Sequence, residues 1–131
     1  MSRSKQKGTL AESAVAQYLG ETWSTVERRV LSGKNDKGDI AGISKIVIEV
    51  KNQKSYKFSE WLKETEIERV NAEAHYGILV VKPNGVGVSK VEKWWTVLPL
   101  EDLVSLLKKA GYAEGLHART DKRDSGLSDL S

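Results

Sequence analysis

The sequence predicts an α/β fold: one mixed sheet of five strands with helices on its faces, in the order α-β-β-β-α-β-β-α. Three observations carry this expectation. The run Lys45-Ile46-Val47-Ile48-Glu49-Val50-Lys51 alternates as a strand does, Tyr76–Lys82 is a strongly apolar strand, and helical periodicity fills Ser4–Leu19 and Phe58 to about Ala74.

The first helix is read from Ser4 to Leu19. At about 100° per residue, Leu10, Ala11, Ala14, Val15, Tyr18 and Leu19 cover one half of it. Glu12 falls just past the rim of that arc, where its carboxylate is either a solvated surface group or points into a cleft between helix and sheet. Trp23–Leu31 reads as the first strand and ends in the turn-rich run Ser32-Gly33-Lys34-Asn35-Asp36-Lys37-Gly38. Asp39–Ile43 is a short second strand. In the third, Lys45–Lys51, the alternation puts Ile46, Ile48 and Val50 on one face and Val47, Glu49 and Lys51 on the other.

The second helix carries two apolar stripes, Phe58, Trp61, Leu62 and Thr65 on one side and Ile67, Val70 and Ala74 nearly opposite. Either it kinks near Thr65-Glu66 or it is contacted on two faces. Tyr76–Lys82 is the fourth strand, stopped by Pro83-Asn84-Gly85. A loop or hairpin containing Gly85 and Gly87 leads to a fifth strand, Trp94–Leu98. Pro99 opens a last helix, Leu100–Ala110, with Leu103, Leu106 and Leu107 toward the core. The sequence then turns polar, so a single domain of residues 1–113 is expected, followed by a flexible tail, 114–131.

At 131 residues the chain suffices for one domain with a hydrophobic core and is short for two. Its 39% hydrophobic and 30% charged residues fit a soluble globular protein, and no stretch approaches the roughly 20 apolar residues of a membrane span. Met1–Gly8 is basic with no apolar segment behind it, unlike a secretory signal. With no cysteine there is no disulfide, thiolate zinc site or Cys nucleophile, and the cytoplasm is the expected compartment. The net charge of +3 leans only weakly toward an anionic partner. The clusters say more: Arg3, Lys5 and Lys7 at the start, Arg28, Arg29, Lys34 and Lys37 around the turn-rich run, and Lys51, Lys54 and Lys57 after the third strand. Each is a candidate phosphate contact, although singly each is also an ordinary solvated cation.

Chemistry concentrates in Gly38-Asp39 on one short strand and Glu49-Val50-Lys51 on the next. Strands joined by a tight turn lie about 4.8 Å apart, so an Asp and a Glu on one face come within reach of one metal ion. Glu49 and Lys51 share a face of a strand that is otherwise Ile and Val, and charge there is costly unless paired or bound to a cation. A strand-edge ion pair on a solvated face is the plain alternative. Two carboxylates suit Mg²⁺, a hard cation that favours oxygen ligands, with Glu12 as a third and the Val50 carbonyl as a further ligand. Such an ion would acidify a bound water and stabilise charge on a phosphodiester under in-line attack. Lys51 would orient the nucleophile or stabilise the pentavalent phosphate, and Gln53, on the same face, would hold the water or a phosphate.

Asp39 followed by Glu49-Val50-Lys51 resembles the PD-(D/E)XK nuclease signature. Its surroundings sharpen the likeness. Lys7-Gly8…Glu12, Arg28-Arg29…Ser32-Gly33, Gly38-Asp39-Ile40 and Ile48-Glu49-Val50-Lys51 occur in the order seen in archaeal-type Holliday junction resolvases and their phage relatives. Tyr76–Lys82 and Trp95…Leu98-Pro99-Leu100-Glu101-Asp102-Leu103 resemble the phage members, and the match covers about residues 5 to 110. The resemblance implies a restriction-endonuclease-like core and a Mg²⁺-dependent endonuclease acting on branched double-stranded DNA, with Mn²⁺ as a possible substitute. It implies Glu12, Asp39 and Glu49 as metal ligands, Lys51 as the catalytic lysine, and Ser32 as an accessory catalytic or substrate-contacting residue. Lys5, Lys7, Arg28, Arg29, Lys34, Lys37 and Lys54 would contact DNA. A phage-encoded member would work in the host cytoplasm. The family's proline before the aspartate is Gly38 here, which leaves the preceding loop freer.

Resolvases of this type are homodimers. Tyr76–Lys82, the Trp94-Trp95 pair, or Ile67 and Val70 would form the interface, or else all of these belong to the monomer's core. His75 and His117 lack partners at metal-ligand spacing, and Gly85-Val86-Gly87 lacks the Lys-Ser/Thr of a P-loop. Two other readings stay open: a nickase, repair or restriction-type nuclease on the same fold, and a DNA-binding protein without catalysis.

Overall fold

The computed structural model describes residues 2–29 and 37–114. The chain divides into two compact units, Met1–Leu98 and Pro99–Ser131. The first begins with helix α1, Arg3–Leu19, whose N-cap Ser2 accepts a hydrogen bond from the Lys5 amide at 3.2 Å. Strands β1 (Glu27–Arg28), β2 (Ile40–Ala41) and β3 (Ile46–Lys51) follow, then helix α2 (Phe58–Asn71), strand β4 (Tyr76–Val81) and strand β5 (Trp95–Val97). They form one five-stranded sheet in sequence order. β3 and β4 are parallel and every other pair is antiparallel, so the sheet is mixed. The expected α/β class and strand count are therefore found, with α2 as the crossover that a parallel pair requires.

The alternation of β3 sorts the two layers. Ile48 and Val50 join Ile40 and the α1 residues Ala11 and Val15 in one apolar cluster. On the opposite face Leu79 and Val81 of β4 pack with Trp61 of α2. Glu49 and Lys51, in register with Leu79 and Val81, lie on that α2 face. Gly77 lets the helix settle: a Cβ there would meet Thr65 Cγ2 at 3.0 Å and the Thr65 carbonyl oxygen at 3.2 Å.

Several expectations change. β1 is two residues long, because the chain before it turns through Gly20–Thr25 instead of extending from Trp23. α2 is one continuous helix and does not bury both stripes: Trp61, Thr65 and Glu68 are its buried residues, while Ile67 and Val70 are exposed. On α1, Leu10 and Tyr18 are exposed and Ala11 and Val15 buried, so the covered stripe is narrower than the apolar arc. The segment read as a loop or hairpin holds two short 3₁₀ turns across Val88–Lys93, with Lys90 off helical geometry between them. Of the tryptophan pair, Trp94 is buried and donates from Nε1 to the Gly87 carbonyl at 3.2 Å, while Trp95 is 45% exposed.

In the second unit, helix α3 spans Leu100–Lys109 after the N-cap Pro99. Glu101 and Asp102 in its first turn and Lys108 and Lys109 in its last complement the helix dipole. Leu103, Leu106 and Leu107 were expected to face a core, but no residue of α3 is buried. No helix among the described residues is long and apolar enough to cross a membrane.

Candidate active site

β2 and β3 pair with Ile40 opposite Ile48, which makes Asp39 and Glu49 neighbours on adjacent strands. The Asp39 amide donates to the Ile48 carbonyl at 2.8 Å, and Asp39 Oδ2 accepts from the Val50 amide at 2.8 Å. This aspartate is thus fixed by the backbone of β3. Gly38 permits the approach. It is buried at φ +95°, and a Cβ there would meet Val47 Cγ1 at 2.9 Å and the Ile48 carbonyl oxygen at 3.0 Å. A proline, locked near φ about −65°, cannot take that conformation, so the glycine is what this chain's geometry demands.

Glu49 is 6% exposed. Its Oε2 stands 3.4 Å from Lys51 Nζ, and its Oε1 is buried without a hydrogen-bond partner. Burial first, then the charge of Asp39, then Glu68 of α2 within hydrogen-bonding reach, push the Glu49 carboxyl up to about 10. Lys51 Nζ also meets Glu64 Oε2 of α2 at 2.8 Å. Burial draws the Lys51 pKa down, but Glu64 and Glu49 together outweigh it and leave the pKa raised, so the group is an ammonium. From α1, Glu12 Oε1 accepts from an Arg28 guanidinium nitrogen at 3.4 Å. Partial burial and the Asp39 charge raise its pKa, with Arg28 acting the other way.

Glu12, Asp39, Glu49, Val50, Lys51 and Gln53 line one cleft of about 600 Å³, together with Lys7 and Lys54. Ser4, Gly8 and Asn52 complete the wall, and Asn52 Nδ2 donates to the Lys7 carbonyl at 3.3 Å, tying the end of β3 to the start of α1. Arg28 is turned onto Glu12, and the Arg29 amide donates to the Asp39 carbonyl at 2.7 Å. Lys5 and Lys37 are exposed and do not line the cleft. Ser32 and Lys34 lie outside the described residues, as do His117 and the tail from residue 115.

Sequence reasoning missed Glu64 and Glu68. Both belong to the helix face that carries Trp61 and Thr65, at three and seven residues from Trp61. That spacing was the available signal, since a residue at i+3 or i+7 from a core tryptophan shares its face.

Among the described residues, no group of three or more His, Cys, Asp or Glu side chains is gathered closely enough to hold a metal ion. The donors nevertheless fit Mg²⁺ in kind. Asp39 and Glu49 offer hard oxygen ligands on adjacent strands, and Glu49 Oε1 is a buried acceptor with no N–H donor, facing further carboxylates whose repulsion a cation would relieve. No protein-family model, curated protein or solved structure matches the chain significantly, so its kinship is left to its own residues.

Proposed function

We propose that this chain is a Mg²⁺-dependent DNA endonuclease of the PD-(D/E)XK type, with a restriction-endonuclease-like core, that cleaves branched DNA, four-way junctions above all. One observation carries the reading: Asp39, Glu49 and Lys51 from the β2–β3 edge and Glu12 from α1 line a single cleft, where Glu49 is buried beside the carboxylates of Asp39 and Glu68. Carboxylates crowded in this way call for a shared proton or a bound cation.

Asp39 and Glu49 would hold the ion, with Glu12 and the Val50 carbonyl at the edge of the same cleft. When bound, Mg²⁺ supplies an acidified water and a counter-charge for the phosphate. The chain's own part is positioning. The Val50 amide holds Asp39, and Glu64 and Glu49 hold the Lys51 ammonium, which would meet the phosphate oxygens. Lys7 and Lys54, on the cleft wall, would grip the backbone without reading sequence.

The test incubates the protein and Mg²⁺ with an immobile four-way junction and with a linear duplex of the same sequence. Paired nicks in the junction with the duplex spared support a resolvase acting as a dimer. Cutting of both moves the protein to a broader nuclease class. Glu49→Ala and Lys51→Ala should each abolish cleavage and spare junction binding, and cleavage surviving either change would overturn the site. Among the described residues no three carboxylates are gathered closely enough to hold a metal ion, which favours a second reading, a junction-binding protein without catalysis. Tight binding without cutting would select it.

A further inference from the structure

On the α2 face of the sheet, four aromatic rings run from the core to the surface. Trp61 is 1% exposed. Phe58 meets it edge-on with centroids 6.0 Å apart, Tyr56 stacks on Phe58 at 5.3 Å, and Trp95 meets Tyr56 at 5.6 Å. Trp95 ends the series on the surface of β5. Packing alone does not call for a tryptophan there, because Val97 is the β5 residue that packs against the Trp61, Leu79 and Val81 cluster.

The sheet register sets where this ring stands. Lys51 pairs with Val81, and Val81 with Trp95, so the three side chains leave the same face on consecutive strands. At a strand spacing of about 4.8 Å, Trp95 lies roughly 10 Å across the sheet from Lys51. The segment between them is clamped. The Asn84 amide donates to the Tyr56 hydroxyl at 2.8 Å, and Asn84 Nδ2 donates to the Lys54 carbonyl at 2.9 Å. Lys54 on the cleft wall and Tyr56 in the aromatic series therefore belong to one held segment, and Lys57 beside them is exposed. An aromatic face with cations alongside suits a nucleobase on an anionic backbone.

We propose that Trp95, backed by Tyr56, is a stacking platform for an unpaired base within about three nucleotides of the phosphate held at Lys51, at ~3.4 Å per stacked nucleotide. The inference rests on the cleft being a DNA site. It names the substrate class further: a base inside an intact duplex has both faces covered by its neighbours, so the platform selects DNA with a base freed at a branch, flap or gap.

The experiment places single 2-aminopurine bases, whose fluorescence stacking quenches, at successive positions within three nucleotides of the branch of a four-way junction. A fully paired duplex serves for comparison, and EDTA prevents cutting. The wild type should quench one or two junction positions and none in the duplex. Trp95→Leu, which keeps apolar bulk without a π face, should lose that quenching and bind the junction about 10-fold more weakly. Trp95→Phe should keep most of both. Trp23→Leu, at another exposed tryptophan outside the series, should match the wild type. Equal quenching and affinity in Trp95→Leu would overturn the proposal. So would a change in association state with junction binding intact, which would make the surface a contact between copies. Failure of the wild type to bind any of these DNAs would also overturn it. Adding Mg²⁺ separates the two ideas: Trp95-dependent quenching without cleavage keeps the platform and removes the nuclease, and cleavage without that dependence does the reverse.

Discussion

Burial and the neighbouring Asp39 and Glu68 push Glu49 toward its protonated form when no cation is bound, against the pull of the Lys51 ammonium 3.4 Å away. The folded pKa of Glu49, about 10, lies above the unfolded value near 4.5. The folded state therefore binds more protons than the unfolded one between those values, and stability falls as pH rises through that window. This is the reverse of a salt-bridged carboxylate, whose contribution is lost toward acid. In EDTA, Glu49→Gln should melt increasingly above the wild type from pH 5 to pH 9, and Mg²⁺ should raise the wild-type midpoint more at pH 8.5 than at pH 6. Equal slopes for the two proteins would show that Glu49 is not protonated in the fold. Gly38 makes a second residue-scale case. Its positive φ and the contacts awaiting a Cβ predict that Gly38→Ala costs roughly 1–3 kcal/mol in chemical denaturation, with Gly38→Pro worse. Here the sequence was legible in part. The alternation of β3 placed Glu49 and Lys51 on one face, but the glycine at 38 read as added freedom, because φ is not visible in a residue name.

At the scale of elements, α2 shapes the electrostatics of Glu49 and Lys51 together with the strands. Trp61 and Thr65 seat it on the sheet, the Thr65 hydroxyl donates to the Trp61 carbonyl at 2.8 Å, and the turns between and beyond them deliver Glu64 to Lys51 and Glu68 to Glu49. Apolar periodicity passes over both acids because it treats every Glu as outward-facing, although their spacing from Trp61 places them on its face. Trp61, with Phe58 and Leu62 packed beside it, leads the covered face only in the first turns of this helix, so Ile67 and Val70 made a competing stripe that is in fact exposed. The 3₁₀ turns were missed for a related reason: Val88–Lys93 has no fully buried residue and only Val91 against the core, which leaves no pattern to read. The Lys51–Glu64 contact gives a test that separates positioning from stability. Glu64 is 40% exposed, so its ion pair is worth under about 1 kcal/mol, and Glu64→Gln should leave the melting midpoint nearly unchanged. Cleavage should fall on the order of 10-fold in kcat with KM unaltered, because the ammonium loses its nearer anchor. A loss confined to KM would place Glu64 in substrate binding instead.

Across the whole molecule, 21 basic and 18 acidic residues leave a net charge too small to hold DNA by itself. What matters is their arrangement. Arg3, Lys5 and Lys7 occupy the first turns of α1, where no acid balances the positive end of the helix dipole. Concentrating cations there is unfavourable for the isolated fold and favourable once an anionic backbone lies along the cleft. Such binding releases counterions, so log affinity falls linearly with log salt by about 0.9 for each phosphate neutralised. Lys7 and Lys54 both line the cleft, and neutralising both by Lys7→Ala with Lys54→Ala should shrink the magnitude of that slope by about 2, alike for junctions of different sequence. Lys45 is the control. It precedes β3, at the opposite end from Lys51, and its Nζ donates to the Glu73 carbonyl at 3.3 Å. Lys45→Gln should therefore leave the slope unchanged. If the cleft double variant kept the full slope while Lys45→Gln reduced it, the DNA would lie along the other end of the sheet, and the carboxylates of the cleft would be serving something other than a phosphodiester.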